Sequence, residues 1–172
     1  MPDASALGWR GGCVIAMTAE DDRFAHARRG GMRVASEASL PLILYDIDAA
    51  SLLNEPLPSG WSAEGTRQQY GERLTVEDLD RLGRGPIARQ VEEAEASGIE
   101  AYGWLPTGHG PDPLAEYAYE QQARVLVMPI EREEVDPLTV MLVGTRHPID
   151  RSEDEVPARI LVAHPDGRLE RR

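Results

Sequence analysis

The stretch that decides the fold runs from residue 13 to residue 47 and reads CVIAMTAEDDRFAHARRGGMRVASEASLPLILYDI. Its first five residues form a short apolar run, which predicts a buried β-strand. Apolar residues then recur at three- and four-residue spacing over 22–39, which predicts a helix, and 40–47 predicts a second strand. Strand, helix and strand within about 35 residues form a βαβ unit, whose right-handed crossover makes the two strands parallel.

The rest of the chain continues this alternation of helices and strands. Thr75 and Asp78 predict a capping box at the start of a helix. Pro86 predicts the first turn of a second helical segment, and Gly98 predicts its end. Asp112 is predicted to cap the following helix. Three further strands are predicted at 99–105, 124–130 and 158–163.

These elements predict one α/β domain over residues 1–172. We expect a three-layer sandwich with a five-stranded parallel sheet and helices on both faces. Its core is predicted at about 12–164, with a long loop at 54–74 and a charged tail at 165–172. Residues 138–145 fit a helix or a strand. The composition, 41% hydrophobic and 28% charged, is near the globular norm and gives no indication of disorder.

Composition narrows the function classes. The formal net charge of -12 disfavours binding to nucleic acid and to an anionic membrane surface. The sequence contains no lysine, which excludes a P-loop lysine and a Schiff-base lysine. Cys13 is the one cysteine and lies in an apolar run, so we expect an inert, buried thiol. With no signal-peptide pattern and no membrane-length apolar run, the expected location is cytoplasmic.

Three landmarks resemble the universal stress protein family. They are an apolar strand running into a helix over 14–35, a glycine–proline turn leading through a helix to a strand over 110–128, and a last strand introduced by proline over 157–162. The resemblance spans about residues 12–164. It implies a five-stranded parallel sheet of the adenine nucleotide alpha hydrolase-like type, and many members of the family bind ATP.

The ATP motif of that family is mostly missing. Thr18 stands where the family places an Asp after the first strand, and Pro129 and Arg132 stand where the first two glycines of its phosphate loop belong. Glycine lets backbone amides approach phosphates closely, and the nearby Glu131 adds negative charge. The Gly-Ser or Gly-Thr pair that ends the family's loop has a counterpart in the Gly-Thr pair at 144–145, which is displaced by two residues from the family's spacing. We therefore expect no cofactor, and ATP binding is disfavoured.

The candidate nucleotide-binding residues are Thr18, Asp46, Gly144 and Thr145. Asp46 and Asp48 end the second strand at the edge where open α/β sheets bind ligands, so a metal or a ribose is an alternative to plain solvation. The histidines show no metal-ligand spacing, so no metal site is expected. No serine lies in a nucleophile elbow, and no catalytic residues are predicted.

Two functions follow from these observations. The first is a non-catalytic stress-response module that forms a homodimer through its last strand at Ile160, Leu161 and Val162, because an exposed apolar edge strand invites pairing. The alternative is a nucleotide-binding or other small-molecule-binding protein, or an enzyme, that uses the cleft at the carboxyl ends of the first and fourth strands.

Overall fold

The computed structural model describes residues 12–49, 73–105, 111–132 and 158–172. Six strands form one sheet in the order β3-β2-β1-β4-β5-β6. The strands are β1 Cys13–Thr18, β2 Leu42–Asp46, β3 Ala101–Trp104, β4 Ala123–Pro129, β5 Arg159–Ala163 and β6 Leu169–Arg171. The first five are parallel, as the sequence predicts.

Helices cover both faces of this sheet. The described helices are α1 Ala25–Ala38, α2 Val76–Arg81, α3 Gly85–Ala96 and α4 Pro111–Glu120, with short 3-10 turns at Asp22–Phe24 and Ile130–Arg132. Side chains of α1, α2 and α3 share one core cluster with one face of the sheet, and side chains of α4 share a second cluster with the other face. This arrangement follows from right-handed crossovers, because the chain moves outward from β1 to β3 and then returns past β1 to β4.

The alternation of side chains along β1 assigns its residues to the two core clusters. Val14 and Ala16 face α1 and α3, whereas Cys13, Ile15 and Met17 face α4. All of them are at most 1% exposed, so β1 is buried on both faces. Thr18 continues the face of Val14 and Ala16 by the same two-residue period, and its side chain therefore points toward α3.

Local signals for helix ends are confirmed at two places. The Thr75 hydroxyl accepts from the amide of Asp78 at 3.3 Å, and the amide of Thr75 donates to the Asp78 carboxylate at 3.0 Å, which completes the capping box. Gly98 follows α3 with a φ of +82°, a conformation that glycine adopts without a side-chain clash. By contrast, α4 begins at Pro111, so Asp112 lies inside its first turn instead of ahead of it.

The end of the chain requires a correction. The sequence predicts a charged tail at 165–172, but Leu169–Arg171 forms β6, which pairs antiparallel with β5. The sheet therefore has six strands and is mixed. The strand with Ile160, Leu161 and Val162 is not an edge, because β6 and the Arg172 amide, which donates to the Ile160 carbonyl at 2.9 Å, occupy its outer side. The loop at 54–74 lies outside the described residues except at its end, and 138–145 lies outside them entirely.

In the described part of the chain, no helix combines the length and the apolar character that crossing a membrane requires.

Cys13 is predicted to react slowly with thiol reagents in the native protein. Its side chain is 0% exposed, and its Sγ lies 3.7 Å from the carbonyl oxygen of Gln121. Burial raises the pKa of Cys13 to about 11, although the positive charge of Arg73 opposes part of the rise. The thiolate is the reactive form, so a rise of about two pKa units lowers its population by a factor of roughly 100 relative to an ordinary cysteine. We expect labelling at pH 7 at least about 100-fold slower than in urea-unfolded protein. Native and unfolded rates within tenfold of each other would contradict this.

Candidate functional site at the carboxyl edge of the sheet

The strand order reverses between β1 and β4, and open α/β sheets bind ligands at the carboxyl ends of the strands beside such a point. On this edge β1 ends at Thr18, β2 at Asp46 and β4 at Pro129. Thr18 and Asp46 are register partners on adjacent strands, so the sheet places these two candidate residues side by side. The other two candidates, Gly144 and Thr145, lie outside the described residues.

Asp46 is completely buried and fully engaged by protein groups. Its Oδ2 accepts from Nε of Arg84 at 2.9 Å and from Nη2 of Arg84 at 2.5 Å. Its Oδ1 accepts from the backbone amide of Asp48 at 3.0 Å. Burial raises the pKa of Asp46, and the charge and hydrogen bonds of Arg84 oppose part of that rise. A carboxylate that is 0% exposed and has these partners is a structural ion pair.

Arg84 connects three elements at this edge. It precedes the first residue of α3 and is 3% exposed. Besides Asp46 at the end of β2, its Nη1 contacts the carboxylate of Glu20, which lies between β1 and α1. A cation at a helix start opposes the helix dipole. The carboxylates of Asp46 and Glu20 compensate the charge of Arg84, which the positive end of the helix dipole repels.

Thr18 is engaged in the same way by the next turns of α3. Its hydroxyl donates to Oε1 of Gln90 at 2.5 Å, and Nε2 of Gln90 donates to the carbonyl of Ala19 at 2.8 Å. Thr18 is 0% exposed and Gln90 is 7% exposed. The polar atoms at the end of β1 therefore meet α3 of the same chain.

An outer layer of contacts surrounds this buried group. The amide of Glu20 donates to Oδ2 of Asp48 at 3.1 Å, and Arg23 contacts the other oxygen of Asp48. Asp21 accepts from the amide of Arg23 at 3.1 Å and caps the 3-10 turn that leads into α1. Asp48 thus holds the segment after β1 against the end of β2. This structural role differs from the metal and ribose binding that the sequence suggests for Asp48.

The side of the edge that follows β4 is different. Pro129 ends β4 and has no N–H to offer a ligand. The next turn carries Glu131, whose Oε2 lies 2.9 Å from Nε2 of His26 in α1. Desolvation acts to raise the pKa of Glu131, but the hydrogen bonds from its own backbone amide and from His26 together lower it overall. A carboxylate therefore stands ionised where a phosphate loop would need donors.

The sequence placed Thr18 and Asp46 correctly at one edge but did not find the residues that engage them. Arg84 and Gln90 lie 38 and 72 residues away along the chain from these partners. Arg84 did carry a signal, because an arginine directly before the Gly-Pro start of a helix is unfavourable unless a carboxylate neutralises it. Gln90 carried none. Within 12–49, 73–105, 111–132 and 158–172, no three His, Cys, Asp or Glu side chains are grouped to hold a metal ion.

No family model matches the sequence, and no curated protein matches it. Among solved structures, the chain is similar to a universal stress protein from Archaeoglobus fulgidus, with 13% identity and a TM-score of 0.41, covering 92% of this chain and 93% of that one. It is also similar to the universal stress protein from Archaeoglobus fulgidus in complex with dAMP, with 15% identity, a TM-score of 0.45, and coverage of 92% and 97%.

Proposed function

We propose that this protein is a non-catalytic, universal-stress-protein-like module of the stress response, in which ATP binding at the carboxyl edge is weak or lost. One observation carries the proposal: the polar groups at the ends of β1 and β2 are already bound within the chain. Gln90 of α3 binds Thr18, and Arg84, directly before α3, binds Asp46. A ligand at these two strand ends would have to displace contacts that the fold itself uses.

The cost of displacing these contacts is large. Freeing Asp46 for a ligand would separate a buried carboxylate from Arg84, and breaking a buried ion pair costs about 3–5 kcal/mol. Freeing Thr18 would leave Gln90 without the hydroxyl hydrogen bond. A nucleotide could offset these losses only if it gave Arg84 and Gln90 equivalent hydrogen-bond partners in the same positions.

The β4 side adds an electrostatic argument. Phosphate binding needs backbone N–H groups or cations that converge on the anion. Pro129 removes one N–H, and the ionised Glu131 repels a phosphate placed beside it. The whole sequence contains no lysine to offset this charge, so only arginine is available as a permanently charged cation.

The proposal of a non-catalytic role rests on Cys13 and Asp46. The buried thiol of Cys13 is a poor nucleophile, and Asp46 is held in an ion pair instead of facing an open cleft. The proposal does not include pairing through β5, because β6 lies along that strand. Charged residues at 170–172 on the new edge also disfavour strand-to-strand association.

We expect Mg-ATP to bind with a Kd weaker than about 1 mM, which corresponds to only about 4 kcal/mol of binding free energy. Isothermal titration with Mg-ATP measures this directly. A Glu131→Gln variant is the matched control, because it removes a nearby negative charge and any phosphate bound beside it would then bind more tightly. Saturable heat at micromolar ATP, or a nucleotide that co-purifies with the protein, would contradict the proposal and favour the small-molecule-binding alternative.

A further inference from the structure

His26 and Glu131 join two segments that leave the sheet on either side of the point where the strand order reverses. His26 lies in the first turn of α1, which follows β1, and Glu131 lies in the 3-10 turn that follows β4. Their side chains meet at 2.9 Å between Nε2 and Oε2. The histidine side chain is 11% exposed and the glutamate side chain is 46% exposed, so solvent reaches the contact from the glutamate side and screens it in part.

We propose that the His26–Glu131 contact is a proton-sensitive link, which holds the turn after β4 against the start of α1 more tightly when His26 is protonated. A neutral imidazole offers the carboxylate one ordinary N–H hydrogen bond. An imidazolium offers a charge-assisted bond, which is roughly twice as strong. The proposal does not rest on the proposed function, because it concerns only the strength of a contact within the protein.

Other charged groups surround the pair. His164, which follows β5, also acts on Glu131 and lowers its pKa, and His164 itself contacts Glu170 of β6 and Arg168. Because the pKa of Glu131 is lowered, its contribution to stability is present above the ordinary Glu range and is lost as the pH falls through the lowered value. A comparison of pH 5.5 with pH 8.0 spans the interval in which the histidine side chain, as a residue type, changes its charge.

Hydrogen exchange of the backbone amides in 130–132 tests the proposal, with each rate divided by the intrinsic rate at the same pH. We expect protection about two- to fivefold greater at pH 5.5 than at pH 8.0 in the unmodified protein. In both His26→Gln and Glu131→Gln this ratio should fall to about one. Glu131 is half-exposed, so we expect Glu131→Gln to fold. It therefore tests the contact even if His26→Gln does not fold.

Two control variants separate this link from other sources of pH dependence. Arg33 donates from Nη2 to the carbonyl of Gly167 at 3.2 Å, which ties α1 to the β5–β6 turn without a titrating group in this range. Arg33→Gln should keep the ratio of the unmodified protein. His164→Gln should keep most of it. The proposal is overturned if the protection ratio of the unmodified protein is about one. It is also overturned if His26→Gln keeps the raised ratio, or if His164→Gln lowers the ratio to about one.

Discussion

Replacing Asp46 with alanine is expected to lower the free energy of unfolding by about 3–5 kcal/mol at pH 7. The substitution leaves Arg84, which is 3% exposed, with only the partly exposed Glu20 as a counter-charge. The main part of the loss is the cost of a buried charge without its partner, and not the worth of the pair itself. Urea unfolding followed by circular dichroism measures the change from the midpoint and slope.

A double variant and a surface variant test this explanation. Asp46→Ala combined with Arg84→Met removes both buried charges of this pair, so it should lose less stability than the sum of the two single variants. Arg23→Met breaks the neighbouring contact with Asp48, in which the arginine side chain is 46% exposed, and should cost about 0–1 kcal/mol. If Asp46→Ala cost no more than Arg23→Met, the buried pair would not be the structural element described above.

The parallel part of the sheet was predictable because its signals are local. The apolar runs of β1, β2 and β4 are each bounded by turn or helix signals, and right-handed crossovers then fix their direction. β6 was not predictable on the same basis. Its segment has one apolar residue, Leu169, and it forms a strand because the neighbouring β5 offers unpaired backbone groups and α1 offers a notch at Gly30 for the leucine. Only the tertiary structure supplies both partners.

The candidate site shows the same division between local and distant information. Thr18 and Asp46 follow apolar strand segments, so the sequence places them at the carboxyl edge of the sheet. Whether such groups face a ligand or another part of the protein depends on residues that arrive from α3. Gln90 and Arg84 bind the polar groups of Thr18 and Asp46 at the ends of β1 and β2, and no spacing rule relates them to these partners. The site therefore depends more on residues distant in the sequence than the fold does.

Replacing Gly31 with alanine is expected to destabilise the protein by about 2 kcal/mol. A Cβ at this position would lie 2.5 Å from Cβ of Ala16 and 3.2 Å from Cδ1 of Leu42, both on central strands of the sheet. Neither contact can be relieved by a side-chain rotation at Ala16, so α1 must shift, and overpacking of this kind costs about 1–3 kcal/mol. The contact is short enough to place the cost at the upper end, and the gain of about 1 kcal/mol in helix propensity offsets part of it. Chemical unfolding gives the difference.

The adjacent Gly30 supplies the matched control, because it has the same helix propensity gain and a different neighbour. Its added Cβ would lie 2.8 Å from Cδ2 of Leu169, the end of a flexible side chain on the short β6. Leu169 can turn aside, so Gly30→Ala should leave the free energy of unfolding within about 0.5 kcal/mol or raise it. Any loss should appear as faster amide exchange in β6 alone. Equal destabilisation by the two variants would show that helix geometry, and not the close approach of α1 to β1, requires glycine here.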